Sequence, residues 1–294
     1  MTLLISWIGV DSRKVSSLYI ASDSRVSWTK ATIFDRGRKV YGCLKHPIIV
    51  GYCGDVLFPS MVLGQVVEAA DNGLLFSDES SGAEMLDAVD SMIRRALMDY
   101  PIRTAGVAAD SVEFILAARG ADGAFLCRTL TWTKTTSAWQ QADVAFEPHS
   151  YTLAVLGSGA SHFKAKFEEY QHGNDKKTSR AAYQCLCHTL AEGKDAYCGG
   201  APQVVGLYNK FPARRFGIIH NGKRFLHGAE LPDDEGLIFG GVEWRNDRFE
   251  LCDGATKQIM LGAQRQPNAL RPRRGDSLGA HWSWTIGFGR ASAW

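Results

Sequence analysis

Little in this sequence is extreme, and each absence closes off a class of protein. No apolar run is long enough to cross a bilayer. The apolar opening MTLLISWIGV has no basic start and meets Asp11 early, so it reads as neither a membrane span nor a signal peptide. Charge of one sign is missing too. The 33 basic and 31 acidic side chains leave a formal charge of +2, too weak a field to imply a nucleic acid or membrane partner. Four arginines and two prolines between Arg265 and Arg274 form the one local excess, which reads as a solvated linker. There is no CxxC pair among the seven cysteines, and Cys185-Leu186-Cys187-His188 has the wrong spacing for zinc. His46, His149, His162 and His188 share no ligand spacing, so no metal and no cofactor is expected. Buried, reduced thiols and a cytoplasmic location fit this cysteine usage. Internal repeats and low-complexity tracts are absent. Gly157-Ser158-Gly159 lacks the G-x-S-x-G spacing, which leaves Ser158 outside the nucleophile-elbow pattern.

What is present is an ordinary globular composition, with 45% hydrophobic and 22% charged residues. The 294 residues suffice for one large or two modest domains and a core that needs no disulfides. Paired strands are expected first: Leu3 to Val10, a polar turn from Asp11 to Ser17, and Leu18 to Ala21. A second hairpin follows, Lys39 to Leu44 and Ile48 to Cys53, around Lys45-His46-Pro47. Helices are expected from Met61 to Ala70, closed by Asn72-Gly73, and from Ser81 to Tyr100, stopped by Pro101. In the second, Met85, Val89, Met92, Ile93, Ala96 and Leu97 recur at intervals of three and four. Strands return at Val112–Ala118, Ala124–Trp132, Ala138–Phe146 and Tyr151–Leu156. Helices follow at Ala160–Tyr170 and Ser179–Glu192, then a strand at Gln203–Leu207 and a hairpin around Asn221-Gly222. Strands, two helices, strands, two helices, strands is not βαβ alternation. It suits antiparallel sheets stacked on each other with helix pairs outside.

An N-terminal threonine can supply nucleophile and base in one residue, its hydroxyl attacking while its α-amine takes the proton. Such an amine titrates near ~7.7–8.0 unperturbed, and a nearby cation lowers that value. The cation in turn needs a carboxylate when buried. Backbone N–H groups of a glycine-rich turn complete the set by facing the oxyanion. Thr2 follows Met1 and is small enough for the initiator to be removed. Asp23 ends a strand in Ile20-Ala21-Ser22-Asp23, Lys39 begins another, and Gly51-Tyr52-Cys53-Gly54 closes the next. Each alone has a plain structural reading; their combination and order carry the expectation.

This run resembles the proteasome β subunit and, more closely, the bacterial HslV peptidase. The shared elements are Thr2, Ala21-Ser22-Asp23, Lys39-Val40 and Gly51-Tyr52-Cys53-Gly54, with the sixteen- and fifteen-residue steps matching HslV spacing. Leu153 to Ala160 resembles the family's strand-to-helix G-S-G segment, and Lys194 to Gly200 its D-x-x-S-G-G segment. The resemblance spans about Thr2 to Leu207. It departs in the longer Asp11–Ser17 turn, in Leu3, and in Cys198 where the family has a serine.

The resemblance implies an α+β, four-layer αββα sandwich of antiparallel sheets, an N-terminal-nucleophile (Ntn) hydrolase over residues 2–212. Residues 213–294 form a C-terminal extension, partly β, with an exposed connection near 264–276. It implies a threonine-type peptidase in which Thr2, Asp23, Lys39, Gly54, Ser158 and Asp195 serve catalysis, and Gly51, Tyr52 and Arg25 meet substrate. The implied partners are a polypeptide or peptide substrate and further copies of the chain in a ring, with an ATPase or regulator left open. Two alternatives stand beside it: a catalytically silent proteasome-like subunit, and an Ntn amidohydrolase acting on small molecules. Trp282, Trp284 and Trp294 suit either a neighbouring subunit or their own domain.

Overall fold

The computed structural model describes residues 2–11, 14–101, 110–172, 178–234 and 238–264. The chain begins with β1 (Leu4–Asp11) and β2 (Lys14–Ser22), then two short strands, β3 (Val26–Ser27) and β4 (Ile33–Phe34). β5 (Val40–Gly42) and β6 (Ile48–Gly54) lead to α1 (Leu57–Asp71) and α2 (Gly82–Asp99). Four strands follow: β7 (Ser111–Arg119), β8 (Phe125–Thr133), β9 (Ala138–Asp143) and β10 (Thr152–Leu156). After α3 (Ala160–Gln171) and α4 (Ser179–Glu192) come β11 (Gln203–Tyr208), β12 (Arg214–His220), β13 (Lys223–Leu226), β14 (Ala229–Glu230), β15 (Glu243–Asn246) and β16 (Leu251–Cys252). The order of strands and helix pairs is the one expected from the hydrophobic pattern.

Among the described residues, β5-β6-β7-β8-β9 form one antiparallel sheet, and β10-β1-β2-β11-β12-β13-β14 form the path of a second. β15 joins the second sheet beside β12 and runs parallel to it, a departure from all-antiparallel pairing. Among the described residues three large buried clusters hold these elements, with a small fourth at Ile219, Trp244 and Cys252. One lies between the first sheet and α1 and α2, centred on Tyr52, Phe58, Val89, Ile93 and Phe114. Another joins the second sheet to α3 and α4 through Trp7, Phe163, Tyr183 and Leu186. A third fills the space between the sheets with Leu4, Ile20, Val40, Ile49, Ile115 and Val205. β1 therefore has to be apolar on both faces: Ile5 and Trp7 enter one core, Leu4 and Ile8 the other.

Local chemistry explains where the elements begin and end. The ladder between β1 and β2 runs out to the pair Asp11–Lys14, so the turn expected over Asp11–Ser17 is shorter than its polar composition suggested. α1 starts at Leu57, ahead of Met61. Asp55 accepts the Phe58 N–H at 2.9 Å, and Pro59 sits in the first turn, where a missing N–H costs nothing. α2 opens on a capping box: Ser81 Oγ accepts the Glu84 N–H at 3.3 Å, and Glu84 accepts the Ser81 N–H at 2.7 Å. Ser81→Ala should therefore destabilise the chain by about 1 kcal/mol, read as a lower denaturant midpoint at unchanged slope. The Asn221-Gly222 hairpin is as expected, with φ of +49° and +74°.

Residues 214–230 and 243–252 extend the second sheet, with β12 pairing antiparallel to β11. Gln264 is exposed, while Arg265–Arg274, Trp282, Trp284 and Trp294 lie outside the described residues. No helix among the described residues is long and apolar enough to cross a membrane.

Candidate active site

The ends of β1, β2 and β5 bring three distant residues together. Leu4 pairs with Ser22, and the Asp23 N–H donates to the Leu3 carbonyl at 3.3 Å, so Asp23 lies beside the start of the chain. Lys39 sits one residue before β5, joined to β6 by the Tyr52 N–H, which donates to its carbonyl at 3.1 Å. From there Lys39 Nζ donates to Thr2 Oγ1 at 2.6 Å and to Asp23 Oδ1 at 2.9 Å. Thr2 is 1% exposed, and Asp23 and Lys39 are wholly buried.

A buried ammonium and carboxylate are tolerable only when both are saturated. Asp23 meets that demand on both oxygens. Oδ1 accepts from Lys39, from the Leu3 N–H at 3.1 Å and from Ser22 Oγ at 3.4 Å. Oδ2 accepts the N–H groups of Arg25 and Gly199, both at 3.1 Å. The carboxylate is thus held by the strand ends and by the turn after Asp195 at once, and its orientation toward Lys39 is over-determined.

Ser158 reaches the same place from the turn after β10. Its hydroxyl accepts the Thr2 N–H at 3.3 Å, and the Gly159 N–H donates to the Thr2 carbonyl at 3.3 Å. Gly157 makes this approach possible. Its φ is +88°, and a Cβ there would sit 2.1 Å from the Thr2 carbonyl oxygen. Gly157→Ala should therefore push the turn off Thr2 and cost about 1–3 kcal/mol or more of stability, measured by thermal or denaturant unfolding.

Asp195 lies behind Ser158. Cys198 Sγ is 3.8 Å from Ser158 Oγ and donates to Asp195 Oδ2 at 3.2 Å, while the Tyr197 N–H donates to Oδ1 at 2.9 Å. Burial pushes the Asp195 carboxyl up, but hydrogen bonds from Ser158, the Tyr197 N–H and Cys198 outweigh it, and the group lies below the usual carboxylate range. Cys198 moves the other way: burial, Asp23 and Asp195 hold its thiol well above the ordinary cysteine value. It is a neutral hydrogen-bonding group here rather than a nucleophile.

The remaining expected residues are placed as follows. Gly54 ends β6 in register with Val112, at a φ of +89° that glycine alone adopts readily. The open side of Gly51 faces the core between the sheets, where a Cβ would meet Ile20 at 2.6 Å and Leu4 at 2.7 Å. Tyr52 is buried, and its hydroxyl donates to the Arg38 carbonyl at 3.0 Å. Arg25 forms a two-pronged pair with Asp35 at 2.7 and 2.8 Å and donates to the Ala196 carbonyl at 3.0 Å. That guanidinium braces the turn holding Asp195 and Cys198. A cavity of about 840 Å³ is lined by Arg25, Cys198, Gly199 and Gly200, but not by Thr2 or Lys39. Among the described residues no group of three or more His, Cys, Asp or Glu side chains is arranged to hold a metal ion.

One residue was missed. Gln203, the first residue of β11, is wholly buried. Its side-chain amide joins the segments that carry Asp23 and Lys39. A lone glutamine at a strand start carries no such signal in sequence, because its partners are some 160 to 180 positions away.

No family model and no curated protein sequence matches the chain. Solved structures do match in fold. The Anbu complex of Pseudomonas aeruginosa, solved as a helical assembly, is 14% identical, with a TM-score of 0.51 over 72% of this chain and 86% of that one. Anbu (ancestral beta-subunit) from Yersinia bercovieri is 12% identical, with a TM-score of 0.49 over 73% and 86%. HslV from Trypanosoma brucei is 12% identical, with a TM-score of 0.43 over 70% and 99%. The chain has a proteasome-like fold of the Ntn type, with antiparallel sheets and helix pairs.

Proposed function

We propose that the chain is a threonine-type peptidase whose nucleophile is Thr2, freed when Met1 is removed. The observation that carries this reading is Lys39 Nζ, bonded at once to Thr2 Oγ1 at 2.6 Å and to Asp23 Oδ1 at 2.9 Å inside a dry site. A buried lysine aimed at a terminal hydroxyl has no evident packing benefit, since a methionine would fill the space without the desolvation cost.

In the proposed reaction Thr2 Oγ attacks the amide carbon, and its proton passes to the freed α-amine of Thr2. Lys39 depresses that amine's pKa by like-charge repulsion and steadies the hydroxyl oxygen as it loses its proton. Asp23 orients Lys39, while Ser158, backed by Asp195 and Cys198, holds the amine by the same contact it now makes to the Thr2 nitrogen. The Gly54 N–H is the proposed oxyanion donor, a contribution typically worth ~10²–10³ in rate. Collapse of the tetrahedral intermediate expels the amine product, which takes the proton and leaves an ester on Thr2. Water, deprotonated by the Thr2 α-amine, attacks the ester carbon; the C–Oγ bond breaks, the carboxylic product leaves, and the α-ammonium returns its proton to Thr2 Oγ. Of the residues expected to meet substrate, Gly51 turns its open side to Leu4 and Ile20 and Tyr52 is buried, so neither forms a pocket surface in this reading; Arg25 shapes the proposed pocket through the turn it braces.

The three cores support reading the architecture as a four-layer αββα sandwich, with residues 2–212 as the Ntn unit and 213–264 extending one sheet. Association of copies into a closed or helical assembly and a cytoplasmic setting belong to the same proposal. The rival reading, a silent structural subunit, draws on Thr2 being 1% exposed. Intact mass of the native protein, before and after treatment with a peptide epoxyketone, separates the two. Loss of the Met1 mass followed by a single adduct on Thr2 supports the peptidase. Retained Met1, or a freed Thr2 that gains no adduct, removes it.

A further inference from the structure

We infer that Gln203 is the positioning residue that sets Lys39 against Asp23, an inference that rests on the peptidase reading of this site. The Gln203 amide has four hydrogen-bonding capacities, and all four are used. Its Oε1 accepts the Lys39 N–H at 2.9 Å and the Val40 N–H at 3.3 Å. Its Nε2 donates to the Asp23 carbonyl at 2.9 Å and to the Gly37 carbonyl at 2.9 Å. The two halves of one planar group therefore grip the backbone of Lys39 on one side and the backbone of Asp23 on the other.

The need for such a clamp follows from the topology. Asp23 extends the second sheet from β2, whereas Lys39 enters the first sheet at β5. No strand ladder joins β2 to β5, so backbone pairing within either sheet leaves their relative position open. β11 lies beside β2, with Gln203 in register with Ser22, which places the amide at the edge where the chain passes between sheets. The turn from β13 to β14 closes over the same spot: a Cβ on Gly228 would lie 3.0 Å from the Gly37 carbonyl and 3.4 Å from Gln203 Nε2. The same two segments are also tied by the Gly37 N–H, which donates to the Ser24 carbonyl at 2.8 Å, and by Ser24 Oγ, which donates to the Asp35 carbonyl at 3.1 Å, but neither bond reaches the Lys39 backbone itself.

The mechanism makes this geometry matter. Lys39 must stay within hydrogen-bond distance of Thr2 Oγ1 while bonded to Asp23, and misplacement of a catalytic group by about 1 Å can cost ~10²-fold in rate. A displaced Lys39 also stops depressing the Thr2 amine, whose titration then moves up toward its unperturbed range.

The test compares wild type with Gln203→Met, which loses all four bonds, and Gln203→Glu, which keeps the acceptor side and loses both donations. Amide hydrogen exchange of the full chain reads the clamp, with the β7–β8 ladder as the internal control for folding. Epoxyketone inactivation across pH, normalised to folded protein, reads its consequence. In both variants the β7–β8 amides should stay protected. In Gln203→Met the Lys39 and Val40 amides should exchange at least ~10-fold faster, inactivation should slow by ~10²-fold, and its pH midpoint should rise. Gln203→Glu should keep protection at Lys39 and Val40 yet still raise the midpoint, because the Asp23 side of the clamp is released. Unchanged exchange at Lys39 and Val40 in Gln203→Met overturns the clamp. Faster exchange with a wild-type pH profile reduces Gln203 to packing and overturns the positioning role. A wild-type chain that loses Met1 and never reacts overturns the peptidase reading itself, and the positioning role with it, while the exchange data still report on the clamp.

Discussion

Thr2→Ala should yield a folded chain with no measurable amide hydrolysis, a fall of about 10⁶-fold if the scale of removing a hydrolase nucleophile applies. The substitution deletes the hydroxyl that Lys39 Nζ reaches at 2.6 Å and leaves the other partner of that ammonium, Asp23, in place. Loss of one bond to a charged donor should cost ~1–3 kcal/mol, well within the reserve of a chain this size. Thr2→Ser keeps an oxygen at the same branch point and should retain turnover and electrophile labelling. Peptide hydrolysis measured beside thermal unfolding checks all three statements. Turnover by Thr2→Ala at the wild-type rate would end the assignment of the nucleophile, whatever the stability result.

Lys39→Met should fail in both respects. Removing the ammonium leaves the Asp23 carboxylate buried with neutral donors only, and breaking a buried pair from one side typically costs ~3–5 kcal/mol. The size of the loss depends on how far the Leu3, Arg25 and Gly199 N–H groups can carry the charge alone. The double variant Lys39→Met, Asp23→Leu is the informative comparison. With both charges gone, stability should recover part of the loss, because apolar replacements for a buried pair are often neutral. Activity should not recover. Denaturant midpoints and epoxyketone labelling of the single and double variants therefore dissociate what the pair does for folding from what it does for chemistry. Full activity in the stable double variant would show that Lys39 is a structural residue.

Neither variant should disturb the distant elements, whose stability has separate local causes. The capping box of α2 shares no side chain with the site, and the cores around Phe58 and Trp7 meet it only at their margins, through Tyr52 and Cys198. A global loss of structure in Thr2→Ala would thus contradict the division of the chain into cores that border, but do not include, the Thr2 cluster.

Much of this architecture is legible along the chain because short-range physics writes it there. Apolar side chains three and four apart mark the buried face of α2, Ser81 and Glu84 mark its start, and Asn221-Gly222 marks a turn only two left-handed residues can make. The candidate site is legible for a different reason: Thr2, Asp23 and Lys39 stand out by their combination and order, and Ser158 only by its resemblance to a family segment, while pattern adds no more than the strand ends near which they sit. What pattern could not supply was partnership. Arg25 looks like a substrate contact until Asp35 and the Ala196 carbonyl are seen to occupy its guanidinium. From about Asp233 the periodicity weakens, yet β15 runs beside β12, since a sheet edge accepts any strand with free backbone groups. Gln203 is the sharpest case. Composition, propensity and alternation determined that a strand begins there; only the meeting of four backbone groups from two other segments decided what its amide does, because hydrogen bonds across 163 to 180 residues leave no mark on local sequence.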